Sequence, residues 1–139
     1  MGLKRRGNFS LKKSIALYKL QESRLPIILA NDAKNHFTKG FRQGGGQTDE
    51  GFWKKRKVDP KGGRRGILIG RKGGRLWKSI KTVMATFPRI EIASIGIVYS
   101  KRHNEGLDGM PKREFLGESR ILNANIKAQI FGEIRKIFK

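Results

Sequence analysis

The chain has no cysteine, only two histidines in 139 residues, and 11 carboxylates against 32 Lys and Arg. Without cysteine there can be no disulfide, no thiolate zinc site and no thiol nucleophile, a usage that suits a reducing compartment. His36 and His103 stand far apart, and neither has a His-rich neighbour to complete a metal shell. His103-Asn104-Glu105 groups polar side chains, but sequence neighbours point in different directions, so His103 is read as structural. The carboxylates are scattered, with no spaced pair for acid–base work. An enzyme is not expected, nor a cofactor or a metal. No apolar run approaches the roughly 18 residues of a membrane span. The basic start MGLKRRGNFSLKK leads into SIALYKL, which Lys19 interrupts, so no secretory leader is expected. Arg6 stands where N-myristoylation needs Ser or Thr. The expected setting is the cytosol, or a particle assembled there.

What is abundant is positive charge, +21 overall. Self-repulsion on that scale opposes compaction, so a polyanionic partner is expected: nucleic acid most simply, then an anionic membrane or an acidic protein surface. Leu, Ile, Val and Phe still make up 37 of the 139 residues, enough for a modest core and too many for a disordered chain. The length suits a single domain over 1–139.

Residues 1–9 read as a basic flexible tail. Ser10 is a candidate helix cap, and Leu11, Ile15 and Tyr18 follow at helical spacing. Pro26 fits the first turn of a second helix whose stripe is Ala30, Ala33, Phe37 and Phe41. Helices are expected at about 10–22 and 26–42, separate or merged into one bent helix. Eleven of the 18 glycines fall within residues 40–74, and 43–66 is read as an exposed, Gly-rich basic loop. Ile67-Leu68-Ile69 reads as a short strand. Strands at about 79–85 and 89–95 flank a Thr86-Phe87-Pro88 hairpin loop, and the apolar phase slips near Ala93-Ser94, where a bulge or a strand end is expected. Ser119 can cap a last helix carrying Leu122, Ile126, Ile130, Ile134 and Ile137/Phe138 on one stripe. The fold class is α+β: an N-terminal helical segment, an antiparallel sheet, a C-terminal amphipathic helix and the long basic loop. The Ile stripe is expected to pack on the sheet.

Residues 54–78 concentrate the charge. Lys54, Lys55, Arg56, Lys57, Lys61, Arg64, Arg65, Arg71, Lys72, Arg75 and Lys78 face one carboxylate, Asp59, a net +10. These cations, Lys78 apart, are the candidate nucleic-acid contacts. Lys54-Lys55-Arg56-Lys57 also has the form of a nuclear localisation patch, a weak signal in so basic a chain. Trp53 beside it could stack on a base or anchor the loop to the core; the anchor is the stronger reading. The glycine spacing does not fit a nucleotide P-loop, because Gly66 and Gly70 are too close and Gly74 is followed by Arg75. Gly70-Arg71-Lys72-Gly73, after a short apolar run and before Leu76 and Ile80, resembles the GXXG loop of a KH domain. In that fold the glycines let backbone approach phosphates at a helix N-terminus. The KH reading implies binding of RNA or single-stranded nucleic acid and requires a continuous helix from about Gly74 to Thr86.

A second resemblance covers more of the chain, roughly residues 30–135. Asn35-His36-Phe37 and Phe41-Arg42 precede Gly44-Gly45-Gly46, and Trp53 with its basic run follows. Then come Gly74-Arg75-Leu76-Trp77-Lys78-Ser79-Ile80 and, after the strand pair, Val98-Tyr99-Ser100-Lys101-Arg102-His103-Asn104-Glu105-Gly106. Met110-Pro111-Lys112-Arg113-Glu114-Phe115-Leu116-Gly117-Glu118-Ser119 leads into the last helix. In this order the motifs resemble the virion morphogenesis, or tail-completion, proteins of tailed phages, similar to tail-terminator and head–tail joining subunits. Arg71-Lys72-Gly73 departs from the acidic or hydroxyl residue often found before the Gly-Arg-Leu element of that family.

The resemblance implies a structural virion protein, assembled in a host cytoplasm, that forms a homo-oligomeric ring, typically a hexamer. Its partners would be the tail tube, the head connector and the DNA that passes through the ring, contacted without sequence preference. It assigns structural roles to Trp53, Leu76, Ser79, Tyr99, His103, Asn104, Glu105, Gly106, Pro111, Arg113, Phe115 and Leu116. Phe115 and Leu116 are expected to be buried. Arg113, alternating with Phe115, is expected to face carboxylates or a neighbouring subunit.

Overall fold

In a computed structural model, residues 10–57, 67–69 and 74–139 are described. The expected basic tail, Lys61, Arg64, Arg65, Arg71 and Lys72 lie outside the described residues. Two helices open the chain, α1 (Leu11–Gln21) and α2 (Leu25–Gln43). They are separate rather than one bent helix. Ser23 makes the break: its Oγ donates to the Leu20 carbonyl at 2.5 Å and accepts from the Leu25 N–H at 3.1 Å. Pro26 sits in the first turn of α2, where its missing N–H is no loss. Gly44 ends that helix at φ +76°, a left-handed position suited to glycine. Ser10 precedes α1 with extended backbone, but its side chain makes no capping bond.

A one-turn helix, α3 (Arg75–Lys78), leads into the antiparallel hairpin β1 (Ile80–Thr86) and β2 (Arg89–Ser94), turning at Phe87-Pro88, a cis peptide. The α+β class is as expected, with strand bounds within a residue or so. Of the two causes expected for the phase slip, the strand end is the one found: β2 stops at Ser94, and the hairpin's bulge lies on the other strand. Thr82 pairs with Ile92 and Met84 with Glu91, so the extra residue is Val83 on β1, and the Ala93-Ser94 end stays in register. The phase change between Ile92 and Ile95 falls where β2 ends. Residues 67–69 form a turn rather than a strand, with Leu68 at φ +65°. All three stay half-buried, and Ile67 and Leu68 pack against the core.

α2 lies across both strands. The main core joins Phe41 of α2, Trp53, Leu76, Ile80 and Phe115, side chains from four separate stretches of chain. Phe41 packs edge-on against Trp53 with centroids 5.3 Å apart and meets Phe115 at 5.4 Å. The Gly-rich segment is therefore not exposed throughout. Gly45, Thr48 and Trp53 are buried, and Gly45 bridges to Phe52. A Cβ on Gly45 would lie 2.7 Å from Trp53, so only glycine lets the tryptophan seat there.

After a second short helix, α4 (Ser100–Glu105), an irregular stretch reaches α5 (Arg120–Ile137). Ser119 caps α5 as expected, its Oγ accepting from the Leu122 N–H at 3.3 Å. The Ile stripe of α5 does not lie on the sheet. The helix packs against α1 and α2; Leu122 is buried with Ala33 and Phe37, while Ile126, Ile130, Ile134 and Ile137 are only half-buried. The hairpin's surface is already taken by α2, which leaves α5 the flank of the helical layer.

Candidate nucleic-acid interface

Trp53 sets the geometry of the basic run that follows it. Its indole Nε1–H donates to the Glu114 carbonyl at 2.8 Å, and its backbone N–H donates to Gly44 O at 2.8 Å. Both the ring and the backbone are therefore fixed, and the base-stacking alternative is closed to this side chain. The chain leaves Trp53 alongside residues 109–113. There the Arg113 Nε–H donates to the Lys54 carbonyl at 3.1 Å, and the Arg113 backbone N–H donates to His103 O at 2.9 Å. Between the two segments lies a cleft of about 450 Å³. Lys54, Lys55, Arg56 and Lys57 form one wall; Gly109, Met110, Pro111 and Arg113 form the other.

The position of Arg113 meets the sequence expectation in part. It does alternate with Phe115, but it meets no carboxylate among the described residues. The acidic side chains nearby are engaged elsewhere: Lys112 Nζ lies 3.1 Å from both Glu50 and Glu114, and these two bonds hold its ammonium above the ordinary lysine value. Lys112 and Glu114 share one face of the segment and Arg113 takes the other. Burial, and then the Arg56 cation, push the Arg113 guanidinium below its ordinary value. His103 is lowered too, by burial first and the Arg113 charge second, and its Nδ1 has no hydrogen-bond partner among the described residues.

Asn104 is the residue whose structural role is most concrete. Its Oδ1 accepts from the N–H groups of Phe115 and Leu116 at 2.9 and 3.0 Å, while its Nδ2 donates to Leu116 O at 2.9 Å. One side chain thus holds the stretch that inserts Phe115 into the core. Phe115 is buried as expected, and Leu116 is half-buried. Gly106 ends α4 at φ +70°, where a Cβ would fall 2.8 Å from the Lys112 backbone. Tyr99 packs edge-on to His103 at 5.8 Å, and Arg102 pairs with Asp108 across the same turn at 2.9 Å. Ser79 is buried, donating to Leu76 O at 2.5 Å and lying 2.6 Å from Ser94 Oγ. Pro111 is exposed in the cleft wall, and Glu105 and Arg75 are exposed on α4 and α3.

His36 has a role the sequence reading did not assign. Its Nε2–H donates to the Gln47 carbonyl at 2.7 Å and lies 3.1 Å from Ser119 Oγ, joining α2, the Gly-rich segment and the cap of α5. The helix demanded by the KH resemblance is not formed. α3 ends at Lys78 and residues 80–86 are strand, so no helix dipole stands behind the Gly70-Arg71-Lys72-Gly73 sequence. Among the described residues, no group of three or more His, Asp or Glu side chains comes together as a metal site. No described helix is long and apolar enough to cross a membrane. No family model, curated protein or solved structure matches this chain.

Proposed function

We propose that the chain is a structural, non-enzymatic virion subunit of a tailed phage. It closes into a homo-oligomeric ring, a hexamer on the family pattern, at the head–tail junction, and DNA passes through that ring. The order of motifs along residues 30–135 suggests the family. The physical observation that carries the reading is an incomplete core. Among the described residues 11 apolar side chains are buried, while 16 large hydrophobic ones are exposed. α1 buries none of its residues, Val98 is 93% exposed, and among the described residues the sheet has two strands. Neighbouring subunits in a ring would cover such faces on both sides. The cleft walled by residues 54–57 supplies the cations for phosphate contact, and its tail-tube and head-connector neighbours would dock on the ring's two ends.

The test has two parts. Sedimentation of the purified chain and electron microscopy should show closed rings; a monodisperse monomer at high micromolar concentration would contradict the proposal. The assembled protein should bind unrelated duplexes equally. If 4–6 phosphates are neutralised per subunit, log K should fall against log salt with a slope of roughly −4 to −5. Reversing the charge of Lys54, Lys55, Arg56 and Lys57 should weaken binding for every sequence while the fold persists, because their side chains lie at the surface or the cleft wall. A strong single-strand preference abolished by Arg71→Asp and Lys72→Asp would favour the KH-like mode instead. Rings without nucleic-acid affinity would assign the charge to an acidic protein neighbour.

A further inference from the structure

We infer that the cleft between residues 54–57 and 109–113 is a phosphate-binding subsite anchored by Arg113. The inference deepens the DNA contact proposed above and rests on that reading for its natural source of phosphate. Its basis is the state of one side chain. Arg113 is only 9% exposed, yet it has no counter-ion among the described residues. A guanidinium offers five N–H donors; here Nε is used by the Lys54 carbonyl, and Arg113 lines the cleft with the rest of its fork. A cation this far buried is usually given a carboxylate. This chain places the two adjacent carboxylates, Glu50 and Glu114, on Lys112 instead. The described residues lining the cleft include no acid.

The arrangement is preorganised for an oxyanion. The Nε bond and the His103 carbonyl hold Arg113 at both side chain and backbone, so its planar fork is oriented before a ligand arrives. The opposite wall supplies the more mobile charges of Lys54, Lys55 and Lys57. A tetrahedral phosphate can accept two parallel bonds from the fork and still present oxygens to the lysines. A single carboxylate would meet the fork equally well but leave the far wall unused. Two sources share this chemistry, a phosphodiester of the DNA backbone and free inorganic phosphate.

The experiment compares the intact protein with Arg113→Gln and Arg113→Lys, using a 20-base-pair duplex and inorganic phosphate at constant ionic strength. Circular dichroism establishes that each variant folds; Arg113→Lys, which keeps the charge but not the fork, serves if Arg113→Gln does not. The expected result is that phosphate raises the melting temperature of the intact protein by several degrees, and of neither variant. Duplex affinity should drop about tenfold in Arg113→Gln, the loss of hydrogen bonds to one charged group, with partial recovery in Arg113→Lys. Competition of phosphate with duplex at one site would identify the DNA backbone as the occupant. Arg113-dependent stabilisation by phosphate without duplex binding would identify the free anion, and would remove the DNA contact while keeping the subsite. Equal phosphate stabilisation of all three proteins overturns the subsite. So does unchanged duplex affinity in Arg113→Gln when reversal of residues 54–57 abolishes binding; in that case the DNA-lined ring survives and the Arg113 anchor does not. Stabilisation by poly-glutamate but not by phosphate also overturns it.

Discussion

Replacing Asn104 by alanine removes three hydrogen bonds at once and tests how residues 115–116 are held. Neutral hydrogen bonds contribute about 0.5–1.5 kcal/mol each, and an orphaned buried donor costs about 1–3 kcal/mol. The Phe115 and Leu116 N–H groups have Asn104 Oδ1 as their acceptor, so both lose it together. Partial exposure of the site lets water replace some of what is lost. The sum is a destabilisation of about 2–4 kcal/mol, a large fraction of the roughly 5–15 kcal/mol of a typical domain. Asn104→Asp supplies the internal control. It keeps an acceptor for both N–H groups and loses only the Nδ2 donation to Leu116 O, which then faces a carboxylate oxygen. It should cost less than alanine, about 1–2 kcal/mol. Urea unfolding followed by Trp fluorescence measures both, with the midpoint falling and the slope unchanged. A loss under 0.5 kcal/mol in Asn104→Ala, or a larger loss in the aspartate variant, would refute the assignment of Asn104 as the clamp.

Three further outcomes are expected. Leu122→Ala should cost about 2–3 kcal/mol and Ile130→Ala about 1 kcal/mol or less, because only Leu122 is enclosed; Ile130→Asp should remain folded, against what the stripe alone suggests, and thermal melts would show it. The His103 imidazole titrates below its ordinary 6.5 in the folded state. The unfolded chain therefore gains its proton first, so stability falls as pH drops through 6.5 toward the folded value, and this residue adds no pH dependence above that window; His103→Gln should flatten that limb in unfolding curves taken at several pH values. Gly106→Ala should destabilise by more than about 1 kcal/mol, since the left-handed backbone and the close Lys112 chain both resist a Cβ; an unaffected melting temperature would contradict the tight turn.

The local elements were legible in the sequence because local chemistry sets them. Pro26, Gly44, the Phe87-Pro88 turn and the Ser119 cap each act on neighbours in the chain, and the bounds of α1, α2, β1 and β2 followed to within one or two residues, whereas the short α3 and α4 and the turn at 67–69 did not. The stripe of α5 was legible as well, but periodicity says only that one face is apolar. Which layer covers it depends on α2 having already occupied the hairpin. Asn104, His36 and Arg113 were harder. An amide two residues before a glycine, a histidine inside a helix and an arginine two residues from a phenylalanine have no local signature for partners 11, 83 and 59 residues away. The alternation of Lys112, Arg113 and Glu114 did contain the signal that Arg113 faces away from Glu114. That Lys112 would take both carboxylates required the position of Glu50.

The union of Trp53 with Glu114 and Phe115 has a consequence for how the protein is made. The indole's acceptor and one of its packing partners are encoded some 60 residues after it. At about 5–20 residues per second, a ribosome needs roughly 3–12 s to deliver them once Trp53 has emerged. For that interval Phe41 and Trp53 lack the residue that closes their core, and a strongly cationic nascent segment follows them. Chains halted before Phe115 would therefore be substrates for chaperones and proteases rather than partly functional subunits. Completion of the Asn104-held stretch would mark when each newly made copy can close that core.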